Sequence, residues 1–466
     1  MQQHKETPVD QEWFEQLTQI LDNHKDKNRS LTLVALDLTP KEREHEHAEF
    51  LRDREYCPDF RPRRTNIEDI ESKEKDLIDL KERIEQEEEN GVIKLTYRWK
   101  INTMIAFLRL LKASIKGDMG RFRRYSHFLY GAPDPDVQSF CLDKASDVIK
   151  ESLQSDDPEM VSAAEKLREH LLNAQPSHRE KHDAFVEIQP PSDQLIAETR
   201  KKVHELHADL LPEGLDPSEE EISPEQTAQY FQEALKSAGA DDWKVIINPN
   251  RTGMIVKPST QEIHIPAGKK QSMQRVLELI FHEIGAHVTR YLKGKESNLK
   301  LLSIGLDRYI KGEEGVGALF ESMAKPESKP VKDFGKFGRH LAISLATGVN
   351  HDPYNFREVY ETMEAYYYLD ELRKGKEHEA AKEKAAKRTW ITCQRVYKGT
   401  HSDKPGTCFT KDIVYREGEI GTWLLLNEKE PDSLSQLTLG KWDHTNARHW
   451  WILSQTGVLP EDQAKE

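Results

Sequence analysis

Most apolar positions in the first half of the chain recur with the period of an α-helix. Residues 11–24 form a short amphipathic pattern, and a second pattern follows Thr65, whose spacing to Glu68 matches a capping box. Residues 97–131 form the strongest helical face. These patterns predict helices that lie on the body of the protein or pair in a short hairpin, rather than a long coiled coil. The apolar positions of the second and third patterns are Ile70, Leu77, Leu80 and Ile84, and Ile101, Ile105, Leu108 and Leu111.

Shorter apolar runs bounded by turn residues predict strands. The first covers residues 31–40, where Pro40 ends the run. Three further runs come directly before a helical pattern at 271–291, and a last strand-rich segment is expected near 393–416. This order predicts an α+β fold that is mostly helical, with a small, mainly antiparallel sheet beside helix 271–291. The three runs are residues 243–248, 253–258 and 262–267.

Helix 271–291 contains two histidines with unusual spacing for a metal site. His282 and His287 are five positions apart in "FHEIGAHV", and Glu283 directly follows the first histidine. On a regular helix, side chains four positions apart differ by about 40°, whereas those five apart diverge by about 140°. One extra residue in the turn, a π-bulge, would bring the imidazoles together, and Gly285 would ease that distortion.

The alternative interpretation is a helix that carries structural histidines. A buried carboxylate beside two imidazoles is costly unless a charge compensates it, and a divalent metal would supply that charge. A catalytic zinc site needs a third protein ligand and an open position. The stretch "YIKGEEGVGALFESMA" contains the acids Glu313, Glu314 and Glu321. Spacing does not choose between them, and a glutamate pair at a helix start is often only a favourable cap.

Three motifs follow one another along the second half of the chain. They are "FHEIGAHVTR", "IGLDRYIKGEEGVGALFE" and "RVYKGTHSDKPGTCFTKDIVYREG". In this order they resemble the tyrosine carboxypeptidase family, which includes the microtubule-associated tyrosine carboxypeptidases and bacterial proteins with a "QEGLA" motif. The resemblance extends from about residue 31 to about residue 456, and the earlier "FLYGAPDPDV" is also similar.

The resemblance implies a zincin-like metallopeptidase with one Zn²⁺ per chain. The family's zinc ligands fall on His282, His287 and Glu314, and its catalytic glutamate falls on Glu283. The implied reaction removes a C-terminal residue, tyrosine or another aromatic one, from a protein or peptide. In that mechanism zinc activates a water and Glu283 is the general base.

The "EEGVG" block departs from the family motif at two places. Glu313 stands where the motif has Gln, and Val316-Gly317 replaces Leu-Ala. The acid and the small packing residues are kept, so we expect the site to be retained. Glu313 stays open as an alternative to Glu314 for the third ligand.

A carboxypeptidase also needs a group that holds the free C-terminal carboxylate, for which Arg and Lys are suited. We expect Arg395, Lys411 or Tyr415 to bind the substrate, the alternative being that they are structural strand residues. Candidate donors to the developing oxyanion are Tyr309, His340, Tyr415 and Arg395. Strand 262–267 is expected to pair with an extended peptide as an edge strand. Its His264 is expected to be a surface residue and not a ligand.

Composition narrows the possible partners. The net charge of −14 argues against non-specific nucleic-acid binding. No run is apolar and long enough for a membrane-spanning helix, and the N-terminus has no signal-peptide core. The four cysteines form no CxxC pair, so a cytoplasmic location is expected. Eight basic residues and one acid lie between Arg98 and Arg124, which is either a solvated helix face or a patch for an acidic peptide tail.

Two functions from different classes remain open. The first is a zinc-dependent metallocarboxypeptidase, and the second is a non-catalytic metal-binding module that regulates or binds peptides. The intact Glu283 favours the enzyme. For the organisation of the chain, we expect an N-terminal helical and charged region, residues 1–95, packed on a catalytic domain, residues 96–466.

Overall fold

The computed structural model describes residues 8–23, 31–63, 65–174, 188–251, 253–327, 337–349 and 351–460. Helices form most of this part of the chain, and two small sheets lie among them, which confirms the α+β class. The helices before residue 175 are α1 (Gln11–Asn23), α2 (Pro40–Arg52), α3 (Ile67–Glu87), α4 (Gly91–Lys116), α5 (Met119–Tyr130), α6 (Pro135–Ser152) and α7 (Pro158–Leu171).

The strand expected at residues 31–40 is wrong. Leu33–Leu36 is a short 3₁₀-helix, and Pro40 begins α2 rather than ending a strand. A short apolar run fits a buried helical turn as well as a strand. The expected cap of α3 is also displaced, because the side chain of Asn66 accepts from the amide of Glu68 at 3.0 Å.

The helical pattern at 97–131 belongs to two helices. Gly117 ends α4 with a φ of 71°, and the side chain of Asp118 then accepts from the amide of Arg121 to begin α5. Helix α3 packs against α4 as the predicted hairpin, with its apolar positions buried. The basic cluster, the eight basic residues between Arg98 and Arg124, therefore lies on two helices rather than one.

Residues 188–460 contain the remaining helices and all the strands of the described ranges. A π-helix, Ile280–Val288, joins α10 to α11. The expected strands near 393–416 are wrong, because α15 continues to Val396 and α16 begins at Ile413. The helices are α8 (Asp193–Leu206), α9 (Pro224–Ser237), α10 (Met273–Leu279), α11 (Thr289–Glu296), α12 (Ile310–Met323), α13 (Gly338–Thr347), α14 (Phe356–Arg373), α15 (His378–Val396), α16 (Ile413–Lys429), α17 (Leu434–Leu437) and α18 (Ala447–Gln455).

The larger sheet is mixed rather than mainly antiparallel. Its strand order is β2 (Lys244–Asn248), β4 (Glu262–Pro266), β3 (Ile255–Lys257), with β2 parallel and β3 antiparallel to β4. Strand β4 is therefore central, and the expectation that it is an edge strand for a peptide is wrong. His264 on β4 is buried, not at the surface. A second, antiparallel pair joins β1 (Glu221–Ile222) to β5 (Gln271–Ser272).

Helices α12 and α16 cross at very short range. A Cβ atom on Gly315 would lie 2.4 Å from the carbonyl oxygen of Gly418, and one on Gly418 would lie 2.2 Å from that of Lys311. Only glycine fits this crossing. The contact brings the acids of α12 next to the first turns of α16.

Two other expectations concern the whole chain. The division after residue 95 falls inside α4 and stays a prediction. Within the described ranges, we find no helix with the length and apolar character needed to cross a bilayer. All four cysteines are free thiols.

Candidate metal and active site

The π-helix brings the two histidines to one side. The ring centroids of His282 and His287 are 5.0 Å apart, with an angle of 72° between the ring planes. Since nine residues of this segment have π-helical hydrogen bonding, each turn contains more residues than in an α-helix. Imidazoles five positions apart can therefore face the same space.

Glu314 of α12 completes a group of three potential ligands. Its Oε2 lies 4.0 Å from Nε2 of His282 and 4.0 Å from Nε2 of His287. One donor atom from each of the three residues lies within 4.8 Å of the others. Tetrahedral bonds of about 2.0–2.2 Å separate donor atoms by roughly 3.4 Å, so a shift of about half an ångström by each side chain would fit these donors around a zinc ion.

Both histidines contact an outer carboxylate through their other ring nitrogen. Nδ1 of His287 lies 2.8 Å from Oε1 of Glu313 in a hydrogen bond. Nδ1 of His282 lies 3.0 Å from Oε2 of Glu321, an ion-pair contact rather than a well-formed hydrogen bond. Carboxylates in these positions fix the ring orientation of metal-binding histidines. Helix α12 therefore contributes Glu314 and both outer carboxylates.

The pKa shifts show a site that favours positive charge. Burial lowers the pKa of His282, but Glu321, Glu283 and Glu314 outweigh this effect and raise the pKa to about 9. Burial raises the pKa of Glu321, while His282 and Arg275 lower it to about 2. In the absence of metal, a proton on His282 therefore compensates the negative charge of these acids. A bound metal cation would compensate the same charge.

Glu283, the expected catalytic residue, follows His282 in the π-helix. Its side chain is partly exposed and makes no hydrogen bond with any residue in the described ranges. Its carboxylate is close enough to His282 to raise the pKa of that imidazole. It is thus an acid beside the ligand group that is free of structural partners there.

Two glycines allow close packing around the histidines. A Cβ on Gly317 would lie 3.0 Å from Nε2 of His282. A Cβ on Gly285 would lie 3.0 Å from Nε2 of His207, a buried residue that the sequence analysis did not single out. The absence of a side chain at Gly285 therefore leaves space for the ring of His207. This role adds to the conformational freedom that the sequence led us to expect of Gly285.

Of the expected substrate-binding residues, Lys411 and Tyr415 lie beside the ligand group. Nζ of Lys411 is 4.0 Å from Oε1 of Glu314 and donates to the hydroxyl of Tyr415 at 3.3 Å. Burial lowers the pKa of Lys411, but Tyr415 and Glu314 reverse this effect and raise it above its ordinary value. Both residues lie around helix α16, not in a strand.

Arg395 already forms an ion pair within the protein. Its Nε and Nη2 donate to both carboxylate oxygens of Asp412, at 2.5 and 2.8 Å. Arg339, at the start of α13, approaches the same aspartate with a 3.8 Å contact and lies 6.0 Å from the ring centre of Tyr415. It is 46% exposed and has no second carboxylate in the described ranges. Arg339 was not among the residues expected at the site, because nothing in its local sequence distinguishes it from other surface arginines.

The other two candidate donors differ in their surroundings. His340 is buried, with Nε2 3.2 Å from Oε1 of Glu417 and Nδ1 3.3 Å from the hydroxyl of Ser344, so both ring nitrogens are occupied. Tyr309 precedes α12, and Lys100 and Lys441 lie 5.3 and 5.9 Å from its ring centre. Burial raises the pKa of Tyr309, Lys441 lowers it, and Glu313 and Glu314 raise it further, so that it stays above its ordinary value.

One family model matches the part of the chain that contains this site. A family model described as microtubule-associated tyrosine carboxypeptidase matches residues 191–463, and the chain belongs to that family. The match covers more than half of the chain and includes the π-helix, α12 and α16. Membership indicates an enzyme of carboxypeptidase type. A search of curated proteins finds no match.

Proposed function

We propose that this protein is a zinc-dependent carboxypeptidase that removes a C-terminal residue, tyrosine or another aromatic one, from a protein or peptide. One observation carries the proposal: donor atoms of His282 and His287 on the π-helix and of Glu314 on α12 lie within 4.8 Å of one another. Membership of a tyrosine carboxypeptidase family supports the reaction type.

The metal would be held by Nε2 of both histidines and the carboxylate of Glu314. Zinc, when bound, supplies a Lewis acid that polarises a carbonyl and lowers the pKa of a water toward neutrality. The surroundings favour Glu314 over Glu313 as the third ligand. Glu313 instead faces Nδ1 of His287, Arg290 and Lys441, on the other side of the imidazole.

Glu283 is the residue we assign to proton transfer. Its carboxylate would accept the proton of the attacking water and then deliver it to the leaving amine. Its partial exposure and lack of a hydrogen bond in the described ranges support this role, because a catalytic base must reach water and substrate. If the protein were a non-catalytic metal-binding module, this carboxylate would take no part in any reaction.

Lys411, Tyr415 and Arg339 are the groups we assign to the substrate. Lys411 and the hydroxyl of Tyr415 lie on the side of Glu314 and would donate to the scissile carbonyl oxygen or the terminal carboxylate. Arg339 is the better candidate for a paired contact with the terminal carboxylate, because Asp412 already occupies two donors of Arg395. Arg395 would then act by fixing Asp412.

The natural substrate is best sought among acidic tails. The family name links its members to microtubules, so a tubulin-like acidic tail ending in tyrosine is one substrate to test. The basic cluster on α4 and α5 would suit such a tail. Five of its cations line an open cavity of about 360 Å³, accompanied by the acids Glu74 and Asp118; they are Arg109, Lys112, Lys116, Arg121 and Arg124.

The test combines metal analysis with peptide cleavage. We expect the purified chain to carry one zinc ion and Glu314→Ala to lose it, while Glu283→Gln keeps zinc and loses cleavage by at least about 10³-fold. Mass spectrometry should detect release of single C-terminal residues from peptides that end in Tyr, Phe or Ala. Amidated copies of the same peptides are the matched substrate control.

Three results would contradict the proposal in different ways. Absence of zinc from the wild-type chain would refute the proposed metal site. Cleavage that persists in Glu283→Gln would refute the assignment of Glu283 as the base. Bound zinc with no release from any peptide would instead support the non-catalytic module.

A further inference from the structure

A buried group of charges lies behind His287, on the side away from the proposed metal. Oε1 of Glu313 is 2.8 Å from Nδ1 of His287 and accepts from Nζ of Lys441 at 2.9 Å. Oε2 of the same carboxylate accepts from Nη1 of Arg290 at 2.7 Å. One carboxylate therefore contacts one imidazole and two cations.

The two cations are held inside the protein. Arg290 is completely buried and also donates to the carbonyl oxygens of Gly440 and Trp442, at 2.7 and 2.5 Å. Lys441 is 5% exposed. Because neither cation can move into water, removal of the charge of Glu313 would leave both without an ion-pair partner in the described ranges, with Asp443 as a further acid near Arg290.

The corresponding contact at His282 is arranged differently. Glu321 faces one cation, Arg275, which is partly exposed and shared with Glu278. Solvent can therefore compensate a change at Glu321, whereas the protein alone must compensate a change at Glu313. The loss of negative charge should therefore have a larger effect at Glu313 than at Glu321.

A glutamine at position 313 would separate the two roles of this side chain. A carbonyl oxygen of Gln could still accept from His287, so the imidazole does not by itself require a charge at position 313. The buried ammonium of Lys441, together with Arg290, does require one.

We propose that Glu313 is a positioning residue for His287 whose negative charge is matched to Lys441, so that Glu can be exchanged for Gln at this position only if Lys441 is neutralised as well. The inference rests on the proposed metal site and assigns the role of the side chains behind it. The mechanism is electrostatic: a buried excess of positive charge opposes the binding of a divalent cation nearby.

The test is a double-mutant cycle on the full chain, with zinc affinity measured by competition with a fluorescent chelator. We expect Glu313→Gln to weaken zinc binding by roughly 10- to 100-fold, the range found for outer-shell partners of metal ligands. The double variant Glu313→Gln/Lys441→Met carries the same buried net charge as the wild type, so it should bind zinc within about threefold of the wild-type affinity.

The matched control is Lys100→Met. Lys100 is buried beside the same Tyr309 ring, but its Nζ donates to the carbonyl oxygen of Ile304 and does not contact Glu313. Lys100→Met should therefore fail to rescue Glu313→Gln. Equal rescue by both lysine variants would overturn the specific pairing.

Folding must be separated from metal binding, so each variant is first examined by circular dichroism. If Glu313→Gln fails to fold and Lys441→Met restores the fold, the pairing is supported. Zinc affinity that is unchanged in Glu313→Gln, or equally weak in the single and double variants, overturns it. Lack of zinc binding by the wild-type chain would instead refute the proposed function itself.

Discussion

At the scale of single residues, His207 is the side chain that packs against the π-helix from behind. Its Nε2 approaches Gly285, and its ring makes edge contacts with Phe281 and Phe320, with centroids 5.2 and 4.6 Å away. No residue in the described ranges forms a hydrogen bond with Nε2. Burial, and then His204, lower the pKa of His207 to about 3.

This pKa predicts a stability that depends on pH. The folded-state value of about 3 lies below the ordinary 6.5, so the unfolded chain binds the proton more readily. The contribution of neutral His207 is complete above pH 6.5 and is lost as pH falls toward 3, by up to about 1.4 kcal/mol per pH unit. We expect His207→Leu to flatten this part of the profile, measured by urea unfolding with EDTA present in all samples.

The control for this prediction is His45→Leu, which changes an exposed histidine. It should leave the slope of the free energy of unfolding against pH unchanged. Each variant is compared with its own value at neutral pH, so that lost packing does not enter the comparison. A wild-type slope in His207→Leu would show that His207 is not the titrating group.

Arg339 gives a prediction about substrate recognition. If its guanidinium holds the terminal carboxylate, Arg339→Gln should raise KM for peptides with a free C-terminus by roughly 10- to 100-fold, the equivalent of a charge-assisted hydrogen bond. The value of kcat should change little. Arg357→Gln is the control, because Arg357 is similarly exposed and pairs with Glu55 on the surface. A fall in kcat alone would contradict the assignment.

The residues of the site differ in how far the sequence could identify them. His282, Glu283 and His287 share one short helical segment, so local spacing predicts their relation and the need for an irregular turn. Glu313, Glu314 and Glu321 were all visible as candidates, but their separate positions depend on how α12 packs against the π-helix. Arg339 and Lys441 come from distant segments, and no local pattern indicates their contacts.

At the scale of elements, the crossing of α12 and α16 sets the distance between the acids and Lys411. The glycines at this crossing leave no space for a side chain, since Gly315 faces the backbone of Gly418. Backbone atoms cannot rotate away as side chains do. Any added atom must therefore separate the two helices.

We expect Gly315→Ala to lower the free energy of unfolding by at least about 2 kcal/mol, a cost typical of overpacking against a rigid neighbour. Zinc affinity should fall as well, because Glu314 is adjacent. Urea unfolding and chelator competition would measure the two effects. Gly91→Ala is the control: it also lies in a helix, but its added Cβ would meet nothing within 4 Å. Equal stability of both variants would contradict the close crossing.

Element type was predictable where the apolar pattern was long and uncertain where it was short. The hairpin α3–α4 is confirmed, because a long periodic pattern defines a helix locally. The runs at 31–40 and 393–416 were misassigned as strands. In the second case Arg395 and Asp412 pair across a helix–helix connection, a tertiary contact that local sequence does not reveal.

At the scale of the whole molecule, the side chain of Asp10 bonds to the segment that follows α11. Its carboxylate is 1% exposed. Oδ1 accepts from the amide of Lys300 at 2.7 Å, and Oδ2 accepts from the amide of Leu301 and the hydroxyl of Tyr97, each at 2.9 Å. The N-terminal region therefore shares buried hydrogen bonds with two later parts of the chain.

We expect Asp10→Ala to destabilise the whole protein rather than its first helix alone. Loss of the carboxylate leaves three buried donors without an acceptor, at a cost of about 3 kcal/mol or more. Urea unfolding followed by far-UV circular dichroism should show one transition at a lower midpoint, with Asp156→Ala, an exposed acid, as control. Hydrogen exchange separates the alternatives, because an independent N-terminal region would lose protection only in α1 and leave the global midpoint unchanged. Such a result would mean that residues 1–95 fold apart from the catalytic body.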